Sequence, residues 1–565
     1  MPQTPNTRSG GQVLADALYA HGVELAYCVA GESYLELLDA LYDYRDRIRL
    51  VTCRQEGGAA NMAEAYGKLT GKPGVVMVTR GPGACHAAIG CHTAFQDSTP
   101  MVMLVGQVAR DQMDREAFQE IDYRRMFGQV AKWVAQIETA DRIPEYLARA
   151  FHTATSGRPG PVVLALPEDM LRDHVAVADA ARYQTVRANP GPADLETLRG
   201  MLAEAERPLM LVGGGGWSDA AAADIVAFAE ANDIPTLCSF RRLDIFDNNH
   251  KNFCGDLSTG SNPKIIEAFK SSDLLVVVGA RLGEITTQGY TLMSIPDTGR
   301  RLVHVHADSD ELGRVFQPTL AIQSGMAQFA AAAKALAPVD AARRSAWTEA
   351  RRADYEAWTT IPEYGGTLDL GVCMKEVRKR LAADGGVVTV DAGNFSGWPM
   401  RFLRYDRKVR FAGPTSGAMG YSVPAACSAA LTFKDKLVLG FVGDGGFMMA
   451  PSELATAGQY GAKPIMLVFN NGMYGTIRAH QARHHPGRPI AIELVNPDFA
   501  ALIRAYGGHG ETVSKTEEFA PALDRAIASG RPAIIELRMD PDVISTTTTL
   551  SKMEAASRAA AAKGS

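Results

Sequence analysis

Along the chain, short β-branched runs ending in glycine or proline alternate with alanine-rich stretches of helical period. The clearest runs are 75–79, 162–166, 209–212, 274–278, 387–390, 437–442, 465–469 and 533–537, and 49–52 reads as a further strand before Glu56. Their apolar character is continuous and not alternating, the mark of strands buried on both faces and so of parallel sheets covered by helices. Stretches such as 56–69 and 452–460 read as covering helices. The pattern predicts an α/β protein of doubly wound parallel sheets.

Two composition shifts divide this rhythm. A Pro/Gly-rich stretch at 187–193 reads as a linker, and a charged Ala/Arg stretch at 341–356 precedes the last part. The expected units are 1–186, 187–345 and 346–565, with a low-complexity tail from 554 that frays at its end. A chain of 565 residues agrees with several domains, since one core rarely grows past about 250–300 residues. The first and last units share a general strand-and-helix rhythm, too weak by itself to prove duplication.

Charge and cysteine usage narrow the class. The 58 Lys+Arg and 63 Asp+Glu leave a net charge of −5 without basic blocks, which gives no footprint for nucleic acid. No apolar run approaches the roughly 20 residues that cross a bilayer. The polar start lacks the apolar core of a secretory signal. Eight dispersed cysteines without a C-x-x-C pair suggest neither a disulfide framework nor a zinc site. The expectation is a cytoplasmic protein with no nucleic-acid or membrane partner.

The strongest chemical signal lies at 437–475. A strand leads into Gly443-Asp444-Gly445-Gly446, and a second leads into Asn470-Asn471-Gly472-Met473-Tyr474-Gly475, with 24 residues between Gly445 and Asn470. Both clusters sit beyond the carboxyl ends of strands, where open α/β sheets bind ligands. An Asp, an Asn and a backbone carbonyl supply hard oxygens suited to Mg²⁺, and the small residues let amides approach phosphate. The bland reading is an Asp-Gly turn and an Asn-Gly turn; their joint spacing, each after an apolar strand, favours the metal.

Here the sequence resembles the thiamine-diphosphate enzymes, and within them the acetohydroxyacid (acetolactate) synthase branch. Further matching motifs are Gly31-Glu32-Ser33, Arg54 to Ala59, Gly81-Pro82-Gly83, Asp97 to Pro100, Phe118-Gln119-Glu120, Gly157 to Pro161 and Ala418 to Tyr421. The resemblance implies a pyrimidine-binding first domain, a central Rossmann-like domain and a diphosphate-binding last domain. It implies that Asp444, Asn471 and the Met473 carbonyl hold Mg²⁺ and, through it, thiamine diphosphate. Gly31, Gly393, Asn394, Phe395, Gly417, Met419, Gly445, Gly446 and Tyr474 are its implied cofactor contacts. Where Gly393-Asn394-Phe395 stands, synthases carry a Gln-His pair, which alters the phosphate pocket without removing it.

Glu56, alone, reads as an acid favoured at a helix start. By the resemblance it hydrogen-bonds the cofactor's pyrimidine N1′ and so helps the thiazolium lose its C2 proton. Met419, alone, reads as core filler; by the resemblance it holds the cofactor bent. Gln119 matches a glutamine that positions substrate. His86 stands where synthases usually have Asn and reads as an acid/base or a polar contact. His480 replaces a Trp that shapes the acceptor pocket, which puts a smaller, titratable ring there.

The implied reaction is decarboxylation of a 2-oxo acid such as pyruvate, followed by joining to a second carbonyl. A 2-oxo-acid decarboxylase or aldehyde carboligase of the same family is the alternative. A non-catalytic cofactor-binding homologue is another, against which Glu56, Asp444 and Asn471 weigh. The resemblance also implies a homodimer at minimum, with a homotetramer expected, Glu56 of one subunit facing the Asp444 domain of another. It leaves a regulatory subunit unidentified. Segment 545–553 is expected to close over the site. FAD stays open: glycine turns at 211–216 and 277–284 suit it, but 282–290 departs from the Phe-Asp-Asp-Arg pattern and His306 replaces an Asp.

Overall fold

The computed structural model describes residues 7–564, with side chains through 560. The chain divides after Ala188 into two compact units. The first carries a six-stranded parallel sheet in the order Arg49–Thr52, Leu25–Cys28, Gly74–Val78, Met101–Gln107, Pro161–Pro167, Trp133–Gln136.

The second unit carries two more six-stranded parallel sheets. The central one runs Phe253–Leu257, Thr236–Ser239, Pro208–Val212, Leu274–Val278, Arg301–His306, Leu320–Gln323. The last runs Val409–Ala412, Gly386–Val390, Val438–Gly443, Ile465–Asn470, Ala533–Arg538, His509–Val513. The α/β expectation of three helix-covered parallel sheets therefore holds.

Counted within each sheet, the first and last share the strand order 2-1-3-4-6-5, whereas the central sheet is 3-2-1-4-5-6. The rhythm seen in the sequence thus corresponds to one topology used twice. Continuous apolar strands lie at the sheet centres: every residue of Leu274–Val278 is fully buried, with Val276 between Met210 and Val303.

Helix Glu56–Thr70 begins where the Gln55 side chain accepts from the Gly58 amide at 2.8 Å, and stops at Gly71 in a left-handed conformation. The expected fraying falls on the very end of the tail, where side chains past 560 lie outside the described residues. Leu550–Gly564 is a helix, and of that tail's backbone only Ser565 lies outside the described residues. Leu550 packs with Ala479, Ala482 and Ile544, and Glu554 pairs with Arg478 at 2.5 Å, which anchors the helix. Among the described residues no helix is long and apolar enough to cross a membrane.

Candidate active site

A 2-1-3 strand order reverses direction between its first and third strands, and the loops that leave them in opposite directions open a crevice. In the last sheet those strands are Gly386–Val390 and Val438–Gly443, and a cavity of about 200 Å³ lies at that point. Gly393, Asn394 and Phe395 line it from the first loop, and Asp444, Gly445 and Gly446 from the second. Asn471, Met473 and Tyr474 come from the loop after Ile465–Asn470, and Gly417 and Met419 from the loop after Val409–Ala412. Every cofactor- or metal-binding residue predicted for the C-terminal half lines this one space, whereas His480 does not. Val543 and Ile544, just before the expected closing segment, also line it.

Asp444 is 2% exposed. Its Oδ1 accepts from the Gly445 amide at 2.9 Å, and its Oδ2 from the Gly472 amide at 2.9 Å and the Asn496 amide at 2.8 Å. Burial raises its proton affinity above the ordinary Asp range, and the donors from Asn496, Gly445 and Gly472 oppose that shift. Asn471 Oδ1 accepts from the Met473 amide at 3.3 Å. Gly445 is required sterically: a Cβ there would stand 2.6 Å from the Tyr474 ring. Gly417, at φ 70°, has nothing within 4 Å of where a Cβ would lie, so this side of the loop is open.

Three contributors were not singled out in the sequence. Asp391, fully buried, accepts from the amides of Gly420, Tyr421 and Ser422 at 2.8, 2.6 and 2.8 Å. It thereby ties the Met419 loop to the end of the first strand. Burial pushes its carboxyl up to about 6, against those three amides and Arg241. The signal for it was an acid and glycine straight after a strand (Asp391-Ala392-Gly393), the pattern of Asp444-Gly445-Gly446. Asn496 bridges Asp444 and Asn470. Thr476 holds Asn394, its Oγ1 accepting from the Asn394 amide at 3.0 Å.

The first unit assembles the other predicted group. Its own 2-1-3 crevice lies between the ends of Leu25–Cys28 and Gly74–Val78, where Ser33 Oγ and Thr79 Oγ1 are 2.8 Å apart and Gly31 packs on Thr79. Glu56 opens helix Glu56–Thr70, and Gly81 caps helix Pro82–Asp97. His86 Nδ1 is 2.9 Å from Glu56 Oε2. Gln119, at φ 68°, packs against Gly81, whose Cβ would meet it at 2.7 Å. Glu56, His86 and Gln119 thus surround one helix start.

His480 does not line the 200 Å³ cavity. It lines a larger cleft of about 1010 Å³ that shares Gly393, Asn394, Gly417 and Thr476 with that cavity, and its ring stacks near His484 at 6.3 Å. In the central sheet the two glycine turns pack on each other. A Cβ on Gly214 would meet the Gly279 carbonyl at 2.0 Å, and one on Gly213 the Ser239 hydroxyl at 2.1 Å. Close packing accounts for Gly213, Gly214 and Gly279, whereas a Cβ on Gly283 would meet nothing within 4 Å.

Comparison with known proteins bears on both groups. Residues 8–126 match the thiamine pyrophosphate enzyme N-terminal TPP binding domain, 195–333 the central domain, and 391–537 the C-terminal TPP binding domain. The chain is 30% identical over 540 residues to the acetolactate synthase isozyme 2 large subunit of Escherichia coli, covering 94% of this chain and 96% of that protein. The chain belongs to the thiamine pyrophosphate enzyme family. It is likewise 30% identical over 550 residues to the acetolactate synthase large subunit of Parasynechococcus marenigrum, covering 95% and 88%. With the mitochondrial acetolactate synthase catalytic subunit of Saccharomyces cerevisiae it shares 27% over 568 residues, covering 95% and 81%. It is thus a thiamine-diphosphate-dependent enzyme of acetolactate-synthase type.

The C-terminal cavity passes a chemical test for the family's cofactor. Among the described residues no group of three or more His, Cys, Asp or Glu assembles a metal centre. The oxygen-bearing side chains among the lining residues are those of Asp444, Asn394, Asn471, Tyr474 and Thr476, a hard set that suits Mg²⁺ shared with a diphosphate and not a softer metal.

Proposed function

We propose that the protein is a Mg²⁺- and thiamine-diphosphate-dependent carboligase that decarboxylates a 2-oxo acid such as pyruvate and joins the remaining two carbons to a second carbonyl. With pyruvate as both substrates, one C–C bond breaks to release CO₂, one forms, and the product is 2-acetolactate. The observation that carries this reading is the convergence of Asp444, Asn471 and Met473 on the cavity that Met419 also lines.

When bound, thiamine diphosphate supplies a thiazolium carbon that stabilises the carbanion left by decarboxylation. Asp444, Asn471 and the Met473 carbonyl would hold Mg²⁺, and the glycines at 445 and 446 with Asn394 would face the diphosphate. Met419 and Gly417 would support the cofactor's ring side. Glu56 would hold and release a proton at the pyrimidine, and Gln119 would orient substrate. Val543, Ile544 and the helix behind them would exclude water, which strengthens every charge interaction inside.

The working unit in this reading is a homodimer or a pair of dimers, in which the Glu56 group of one subunit completes the Asp444 cavity of another. Exposed apolar side chains beside each half support it: Ile89 near His86 is 41% exposed, and Met448 and Met449 after the Asp444 loop are 45% and 52% exposed. Eight free cysteines, seven of them buried, support a reducing cytoplasm. A companion subunit is sought by co-purification.

His480, a titratable ring on the larger cleft, favours a second reading, in which the acceptor is an aldehyde or a proton. Incubation with Mg²⁺, thiamine diphosphate and pyruvate, with acetolactate and acetaldehyde assayed separately, tests both. Acetolactate as the main product supports the first reading, and acetaldehyde the second. Bound cofactor with no turnover of any 2-oxo acid would overturn both in favour of a non-catalytic homologue.

A further inference from the structure

The pairing of His86 with Glu56 has its origin in helix packing. Helices Glu56–Thr70 and Pro82–Asp97 cross at small residues. A methyl on Gly90 would stand 2.4 Å from the Ala60 methyl, and one on Gly57 would stand 3.0 Å from the His86 carbonyl. Glycine at 90 is what lets the helices come this close, and glycine at 57 relieves the crossing further. The crossing delivers the imidazole to the carboxylate, Nδ1 to Oε2, at 2.9 Å.

Of the two carboxylate oxygens, Oε1 lies 3.6 Å from where a Gly83 Cβ would be, on the side of the Gly81-Pro82-Gly83 turn. The Glu56 side chain is 13% exposed and the His86 side chain 57%. Tyr34, whose hydroxyl feels the Glu56 charge, is pushed up by burial and stays neutral. A carboxylate only accepts, so a neutral His86 makes this bond with its proton on Nδ1. That tautomer is the less common one for an unconstrained imidazole, and the hydrogen bond selects it.

We propose that His86 is a positioning residue for Glu56: held as the Nδ1–H tautomer, it donates to Oε2, fixes the carboxylate rotamer and leaves Oε1 as the oxygen that works. The functional half of this assignment rests on the role given to Glu56 above. The tautomer half stands on the cofactor-free chain.

The test has two arms on the full-length protein. In the first, cofactor-free protein labelled with ¹⁵N-histidine is examined at alkaline pH by long-range ¹H–¹⁵N spectra, with His86→Asn identifying the signal. The expected result is a ring protonated at Nδ1 that reverts to Nε2–H in Glu56→Ala. In the second arm, Mg²⁺ and thiamine diphosphate are added, and exchange of the cofactor C2 proton is followed. His86→Ala is expected to slow exchange about ten-fold, the loss of one hydrogen bond to a charged group. His86→Asn, which keeps an N–H near the Nδ1 position, is expected to recover to within about three-fold of wild type.

Cofactor affinity is expected to stay level in His86→Ala and His86→Asn. An Nε2–H ring in the wild type, or unchanged exchange in His86→Ala, would overturn the assignment. An Nδ1–H ring in a protein that turns over no 2-oxo acid would overturn the proposed function and leave the tautomer assignment standing.

Discussion

Asp391 Oδ1 accepts from the Tyr421 amide at 2.6 Å, joining the end of the first strand of the last sheet to the loop that carries Met419. With Gly420 and Ser422 also bound, one buried carboxylate satisfies three successive amides at the start of helix Ser422–Thr432. Asp391→Ala strands those donors, at a cost of about 3 kcal/mol. Urea unfolding should show that loss, and thiamine diphosphate affinity should fall with it because the Met419 loop is no longer held.

Glu56→Gln tests the proton handle. The amide keeps the size of the side chain but neither holds nor releases a proton there. Cofactor binding measured by calorimetry is expected to persist, while C2 proton exchange falls by orders of magnitude, on the order of 10² or more. Near-normal exchange would refute the role.

Subunit sharing predicts complementation. If Glu56 of one chain completes the Asp444 cavity of another, a mixed dimer of Glu56→Gln and Asp444→Ala subunits contains one site with both native residues. Co-expression of the two inactive variants is expected to restore activity, approaching about a quarter of wild type for random pairing. Sites built within a single chain would restore none.

The two halves of the site were legible to different depths. Strands such as Leu274–Val278 and Ile465–Asn470 announce themselves because both faces are buried. His509–Val513, an edge strand bonded on one side and mostly half-exposed, mixes polar residues and does not. Asp444 and Asn471 were visible because their spacing ties two strand ends together. Asp391 was not, since its partners lie about thirty residues on, in a loop whose approach only the topology decides. Glu56 was placed at a helix start and His86 where synthases carry Asn, yet their contact depends on the Gly57 and Gly90 crossing. The tail was read only as low-complexity, whereas its alanines favour helix and the Arg478–Glu554 pair anchors the start of that helix.

The buried Asp444 carboxyl makes metal binding sensitive to pH. Its proton affinity is raised by burial, so the metal-free fold favours the protonated form, and this group's contribution to metal-free stability is lost as pH rises through its titration. Mg²⁺ needs the ionised form. Mg²⁺ affinity is therefore expected to decline as pH is lowered through the Asp444 titration, beginning above the range of an ordinary Asp. Calorimetric titrations at a series of pH values, with Asn496→Ala raising the onset further by removing a donor, check the sign.

The most direct test of the central claim is calorimetric titration of the cofactor-free protein with thiamine diphosphate, in Mg²⁺ and in excess chelator, for the wild type and Asp444→Ala. Saturable binding in Mg²⁺ that disappears with chelator and in Asp444→Ala is the predicted result. Equal affinity with and without metal, or binding undiminished in Asp444→Ala, would contradict it.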